Sequence, residues 1–169
     1  MEKDLTDFPT IWIDADSCPK AVRDITIRFS HRKNPLIKVI FVANKQIPAS
    51  STEYQMIICE KEKDSADNYI LNNVKPQDLV ITRDILFAEK LVNKNICAIN
   101  DRGTYFNKDN IKDLVEDRNF DLQLAEIGFT GTKMHSYNKK QLAKFTSCFE
   151  IQLNRLLKAY SLTHHQELP

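Results

Sequence analysis

From Ile11 to Gly103 the chain alternates short, almost wholly apolar runs with longer stretches whose apolar residues recur at helical spacing. The runs Ile11–Asp14, Ile37–Ala43, Tyr54–Cys59, Leu79–Thr82 and Ile96–Ile99 predict five strands. They carry little polar alternation, as expected when helices cover both faces of a sheet. Between them, Ala21, Val22, Ile25, Ile27 and Phe29 predict a helix that starts after Pro19 and ends near Asn34-Pro35. Asp64-Ser65 opens a second helix, which Lys75-Pro76 stops. Ile85, Leu86, Ala88, Leu91 and Val92 outline a third. Strand and helix in this order predict right-handed βαβ crossovers and a three-layer α/β fold around a central parallel sheet of about five strands.

Beyond Gly103 the strand pattern disappears. Asn110 is placed to cap a helix through Ile111, Leu114 and Val115. A loop follows at Gly128-Phe129-Thr130-Gly131-Thr132-Lys133. Leu142, Phe145, Phe149, Leu153, Leu156 and Leu157 then stripe a long final helix from about Asn138 to Tyr160. The C-terminal segment is thus helical, and the pattern predicts one domain over 1–169, with residues 1–8 as a tail and the core at about 11–157.

Composition narrows the class. With 169 residues, 42% of them hydrophobic, the chain can bury a sizeable core. A net charge of +1 argues against tight, sequence-independent duplex binding, though not against an enzyme that touches a few phosphates. Cys18, Cys59, Cys97 and Cys148 form no CxxC pair and no zinc spacing, and Cys59 and Cys97 sit in apolar runs where buried, reduced thiols are expected. Met1 to Thr10 is polar and lacks the apolar stretch of a secretion signal, and no run is long enough to span a bilayer. A soluble protein of the reducing cytoplasm is the expectation.

The chemistry concentrates where apolar runs end. Ile11-Trp12-Ile13 leads into Asp14-Ala15-Asp16-Ser17-Cys18-Pro19, and alternation along a strand puts Asp14 and Asp16 on one side with Ala15 on the other. The fourth strand ends in Arg83-Asp84, and Asp67 lies in the first turn of the helix leading to that strand. Asp101, just past the fifth strand, is a weaker candidate. In an open parallel sheet, ligands bind beyond the carboxyl ends of the strands where strand order reverses. If the first and fourth strands are neighbours, Asp14, Asp16, Asp67 and Asp84 face one crevice. Like charges so close repel unless a proton or cation lies among them, and Mg²⁺ or Mn²⁺ suits such oxygen donors. Each acid also has a structural explanation: Asp84 as a helix cap, Asp67 as a charge favoured by the helix dipole.

The chain resembles the YaiI/YqxD family, bacterial proteins of PIN-like fold. The matching pieces are Asp14-Ala15-Asp16-Ser17-Cys18-Pro19, Val42-Ala43-Asn44, Ser65-Ala66-Asp67 and Leu79-Val80-Ile81-Thr82-Arg83-Asp84. Asp101-Arg102-Gly103 with Tyr105, Asn110-Ile111, Gly128 and Thr130-Gly131 follow in order. The resemblance implies acids gathered at the carboxyl edge of a parallel sheet and kinship with metal-dependent ribonucleases. Asp14, Asp67 and Asp84 carry over as metal-binding and catalytic positions, with Asp16 beside them. Ser17, Cys18, Asn44, Thr82, Arg83 and Arg102 surround the crevice, and the two Arg are suited to holding phosphate, an ion pair with Asp101 being the alternative for Arg102. Two departures stand out. Gly131-Thr132-Lys133 replaces the family's Gly-Gly-Pro run, and Asn138-Lys139 replaces its Asp-Arg.

Three functions compete on the sequence. The first is an Mg²⁺- or Mn²⁺-dependent nuclease acting on RNA, with Asp16 as ligand or general base and Arg28, Arg32, Lys33 or Lys139, Lys140 and Lys144 guiding the backbone. The second is a phosphatase of the haloacid dehalogenase type with Asp14 as nucleophile, since an apolar run ending in Asp-x-Asp opens that superfamily too. The third is a non-catalytic module that binds RNA or a protein partner, with Tyr105, Phe106 and Phe129 as stacking platforms.

Overall fold

The computed structural model describes residues 8–33, 35–47, 54–129, 131 and 136–164. In chain order the elements are β1 (Thr10–Asp14), α1 (Lys20–His31), β2 (Lys38–Ala43), β3 (Gln55–Ile58), α2 (Ser65–Asn73) and β4 (Leu79–Ile81). They continue with α3 (Ile85–Asn93), β5 (Cys97–Ile99), β6 (Tyr105–Phe106), α4 (Ile111–Glu126) and α5 (Lys139–Thr163). The expected tail before Phe8, most of the polar loop from Asn44 to Thr52, and Thr130, Thr132 and Lys133 of the glycine loop lie outside the described residues.

Strand alternation decides which residues meet. Ile11 and Ile13 point to one face with Val39, Phe41, Leu79, Ile81, Cys97 and Ile99, where Val22 and Ile27 of α1 and Phe145, Phe149, Leu153 and Leu157 of α5 cover them. Trp12, Ile40, Val42, Val80 and Ala98 point the other way, under Ile70 of α2, Phe87 and Leu91 of α3, and Ile111 at the start of α4. The three layers follow from this double burial, each full-sized apolar side chain stabilising the fold by roughly 1.5–3 kcal/mol.

The sheet order is β3-β2-β1-β4-β5-β6, so the chain winds outward from β1 and then returns to its other side. β1 pairs in parallel with β2 (Ile13 opposite Phe41) and with β4 (Ile13 opposite Ile81), which makes β1/β4 the point where strand order reverses. At the opposite edge, where the strands begin, buried Asp78 fastens β1 to β4. Its carboxylate accepts hydrogen bonds from Thr10 N (2.9 Å), Trp12 Nε1 (3.0 Å) and Lys75 N (2.9 Å).

Some details depart from the pattern. A sixth strand, β6, pairs antiparallel with β5, and at two residues it is too short to leave a periodic signature. The turn into it holds Gly103 at φ +84, with the carbonyl oxygen of Lys144 only 2.6 Å from where a Cβ would stand. Asn110 precedes α4 without capping it. Its side chain instead accepts from Asn107 N and donates to the Tyr105 carbonyl, closing the loop after β6. Ala21 is exposed on α1, whereas Thr26 and Ser30 are buried there and satisfy their hydroxyls on the carbonyls of Val22 and Ile27. Cys97 is buried, but Cys59, one residue past the short edge strand β3, is only half-buried.

Candidate functional site

A cavity of about 400 Å³ opens at the carboxyl edge of the sheet, over the β1/β4 reversal. Asp14, Asp16, Asp67 and Asp84 all line it, together with Ser17, Asn44, Asp64, Ala66 and Arg83. Asp14 ends β1 on the same side as Trp12. Ala15 is buried in the opposite core, and its N–H extends the β1–β2 pairing to the Val42 carbonyl (2.9 Å). Asp16 is exposed in the turn that follows, where its Oδ2 accepts the backbone N–H of Asn44 (2.7 Å). That bond ties the β1 turn to the end of β2. Arg23 braces the same turn from below, donating to the carbonyls of Cys18 (2.8 Å) and Ala15 (3.4 Å).

Asp14 is buried, and its Oδ2 accepts from the hydroxyls of Thr82 and Ser17, each at 3.0 Å. Thr82 continues β4, so one side chain from each strand meets at the reversal. Asp84 caps α3, its Oδ1 accepting from the N–H groups of Leu86 (2.9 Å) and Phe87 (3.0 Å). These cap bonds engage one carboxylate oxygen and leave the other outside them. Asp67 reaches the cavity from the first turn of α2, behind Asp64, whose φ of +60 turns the chain into that helix. Asp64 is the acid the sequence pattern missed. Its place just before a helix start was visible, but its approach to the cavity depends on a left-handed turn.

The electrostatics reflect crowding. Burial raises the Asp14 carboxyl above its ordinary range, the Thr82 and Ser17 hydroxyls oppose this, and Asp16 and Asp84 add to it. Asp67 is pushed up to about 7, first by burial and then by Asp14, Asp84 and Asp64, with Lys90 pulling weakly the other way. Arg83 lies beside the acids but is anchored elsewhere. Its Nε and Nη2 donate to one oxygen of buried Asp101, at 2.8 and 2.5 Å. Asp101 thus holds Arg83 and does not line the cavity. Arg102, expected beside the crevice, is exposed outside the cavity lining, and it is Arg83 that takes Asp101. Cys18 is buried under this cluster, and burial pushes its thiol well up, so it is no nucleophile near neutral pH. Tyr137 donates to the Asp101 carbonyl (2.6 Å), closing the far side.

Among the described residues, no three His, Cys, Asp or Glu side chains stand close enough together to grip an ion as they are arranged here. The acids share a cavity while three of them are drawn to separate donors: two hydroxyls for Asp14, a backbone amide for Asp16, helix amides for Asp84.

Fold and site together define an open, mostly parallel α/β protein with acids collected at its topological switch point. The chain belongs to the YaiI/YqxD family: the family model described as "Uncharacterized BCR, YaiI/YqxD family" matches residues 12–158. It is 41% identical to a UPF0178 protein of Treponema denticola over 88% of this chain and 94% of that one. UPF0178 proteins of Pseudomonas entomophila and Treponema pallidum are each 32% identical over 88% of this chain, and over 98% and 84% of their own lengths. No solved structure matches it. No helix among the described residues is long and apolar enough to cross a membrane.

Proposed function

We propose that this chain is a metal-dependent phosphodiesterase acting on RNA, of PIN-like kinship, with Asp14, Asp16, Asp67 and Asp84 as its metal-binding and catalytic acids. The observation that carries the reading is the convergence of these four carboxylates, from the ends of β1 and β4 and the start of α2, on one cavity where strand order reverses. All four offer the hard oxygen that Mg²⁺ or Mn²⁺ takes, and to hold an ion the side chains would have to swing together from their present arrangement. Burial first, and then the neighbouring carboxylates, raise Asp14 and Asp67 above the ordinary carboxylate range, so an added positive charge at this place is favoured. The hydrogen bonds of Asp14 and Asp84 each engage a single oxygen, so the second oxygen of each remains outside them.

A bound cation supplies the Lewis acidity that lowers the pKa of water and neutralises phosphate charge. The protein's own groups do the rest. Asp16, exposed at the cavity mouth, accepts the proton of the attacking water. Asp67, pushed up to about 7 by burial and by its acidic neighbours, would be ionised by a cation held among them. Arg83, held rigid by Asp101, offers its remaining guanidinium edge to a phosphate oxygen, while Ser17 and Asn44 border the path.

The test uses labelled single-stranded RNA with Mn²⁺, a chelated control and Asp84→Asn. Asn keeps a side-chain oxygen for the helix cap, so the variant retains the fold while losing a negative ligand. Cleavage that vanishes in both controls supports the reading. Cleavage that survives in Asp84→Asn removes Asp84 from the site. A phosphorylated Asp14 trapped from a phosphomonoester would replace the reading with a phosphatase, and RNA retention insensitive to chelation and to Asp84→Asn would replace it with a binding module.

A further inference from the structure

The helix α4 is built for a neighbour that the described residues of this chain do not provide. Of its sixteen residues only Ile111 is buried, so its C-terminal half has almost no core to rest on. A helix of this length is marginal in water without packing on one face. Phe120, Leu124 and Ile127 share the side opposite Ile111, and Phe120 and Ile127 are 60% and 71% exposed. Five acids against two bases give α4 a net charge of −3.

The outer stripe of α5 has the opposite character. Lys140, Lys144, Ile151, Lys158 and Leu162 follow one another at four- and seven-residue spacings, opposite buried Phe149. All are exposed, Ile151 by 63% and Leu162 by 70%. The two helices also share a local electrostatic fault. Lys139 and Lys140 sit at the positive end of the α5 dipole with no acid in that turn, while the last turn of α4 carries Glu126 and no base. An acidic apolar stripe and a basic apolar stripe, each disfavoured alone, correct one another when they meet.

We infer that α4 of one copy docks on the outer stripe of α5 of a second copy, and reciprocally, in a twofold dimer. Phe120 and Ile127 then lie against Ile151 and the aliphatic stems of the lysines, with Asp117 and Asp121, which border the apolar stripe one turn apart, facing Lys140 and Lys144. Pairing of α4 with α4 would bring two −3 helices together, which rules out that simpler symmetric contact. The same acidic charge disfavours an anionic lipid surface as the occupant.

Sedimentation velocity of the full chain tests the dimer directly. The wild type is expected at twice the chain mass across the micromolar range, weakening as salt rises. Asp117→Lys/Asp121→Lys and Lys140→Glu/Lys144→Glu should each sediment as monomers with wild-type circular dichroism. Mixed in equal amounts, the two variants should regain the dimer, because each reversed α4 then meets a reversed α5 while the unreversed pair also matches. Phe120→Ser should raise the dissociation constant at least tenfold without altering charge. A wild type that stays monomeric, or a dimer that ignores both charge reversals, overturns the inference. If the reversals leave the mass unchanged and the α5 reversal instead weakens RNA retention, the basic stripe belongs to nucleic acid and the inference also falls.

Discussion

Replacing Asp78 by Ala is expected to be the most damaging single change at a charged position, although Asp78 lies at the edge of the sheet away from the acidic cavity. Its carboxylate is buried and accepts three hydrogen bonds, from two backbone amides and the Trp12 indole. Ala leaves all three donors without their acceptor. At about 1–3 kcal/mol for each buried donor left unsatisfied, and allowing that the half-buried amides recover some water, the loss should be about 3–6 kcal/mol. That is a large part of the roughly 5–15 kcal/mol that holds a typical domain folded. Urea unfolding followed by both circular dichroism and fluorescence measures it, with ΔG from linear extrapolation. Trp12 is the chain's single tryptophan, so the emission reports on this clasp itself. Asp78→Asn keeps an acceptor oxygen and should fall between wild type and Asp78→Ala. A loss below about 1 kcal/mol for Asp78→Ala would refute the reasoning, because it would mean that water satisfies the three donors as well as the carboxylate does.

Two further outcomes follow from the cavity and from the β5–β6 turn. Because the folded state pushes the Asp67 carboxyl up to about 7, it binds that proton more tightly than the unfolded chain does. The corresponding stability is complete below the ordinary carboxylate range and is lost as pH rises through that range toward about 7. In chelator, Asp67→Asn should therefore flatten the fall in melting temperature between acid and neutral pH. An Asp67→Asn profile parallel to wild type would count against the crowding of these acids. Gly103→Ala adds a Cβ at φ +84 facing the Lys144 carbonyl, and should cost about 2–3 kcal/mol in the same urea assay; an unchanged midpoint would contradict that close approach.

Asp14, Asp16, Asp67 and Asp84, which line the cavity, were legible because each stands at a punctuation mark of the pattern: the end of β1, the end of β4, the first turn of α2. Periodicity shows where an element ends, and in a parallel sheet the ends of strands are where ligands go. Asp101 and Arg102 occupy a similar mark after β5 and were less readable. Nothing in their spacing says that Asp101 turns inward to hold Arg83 from the neighbouring strand, leaving Arg102 outside. Asp78 looked like part of a helix-breaking turn, since its three donors come from Thr10, Trp12 and Lys75, two of them more than sixty residues away.

The amino-acid sequence by itself determined the alternation of buried strands and amphipathic helices, the three-layer class and the carboxylates at strand ends. These are local properties, set by the period of apolar residues and by capping chemistry. Only the tertiary structure decided that β1 lies beside β4, that Asp64 joins the cavity, that Asp78 clasps the opposite edge, and that α4 carries its apolar stripe into solvent. Strand order and contacts between distant residues depend on how whole faces pack against one another, and no short window of the chain records that.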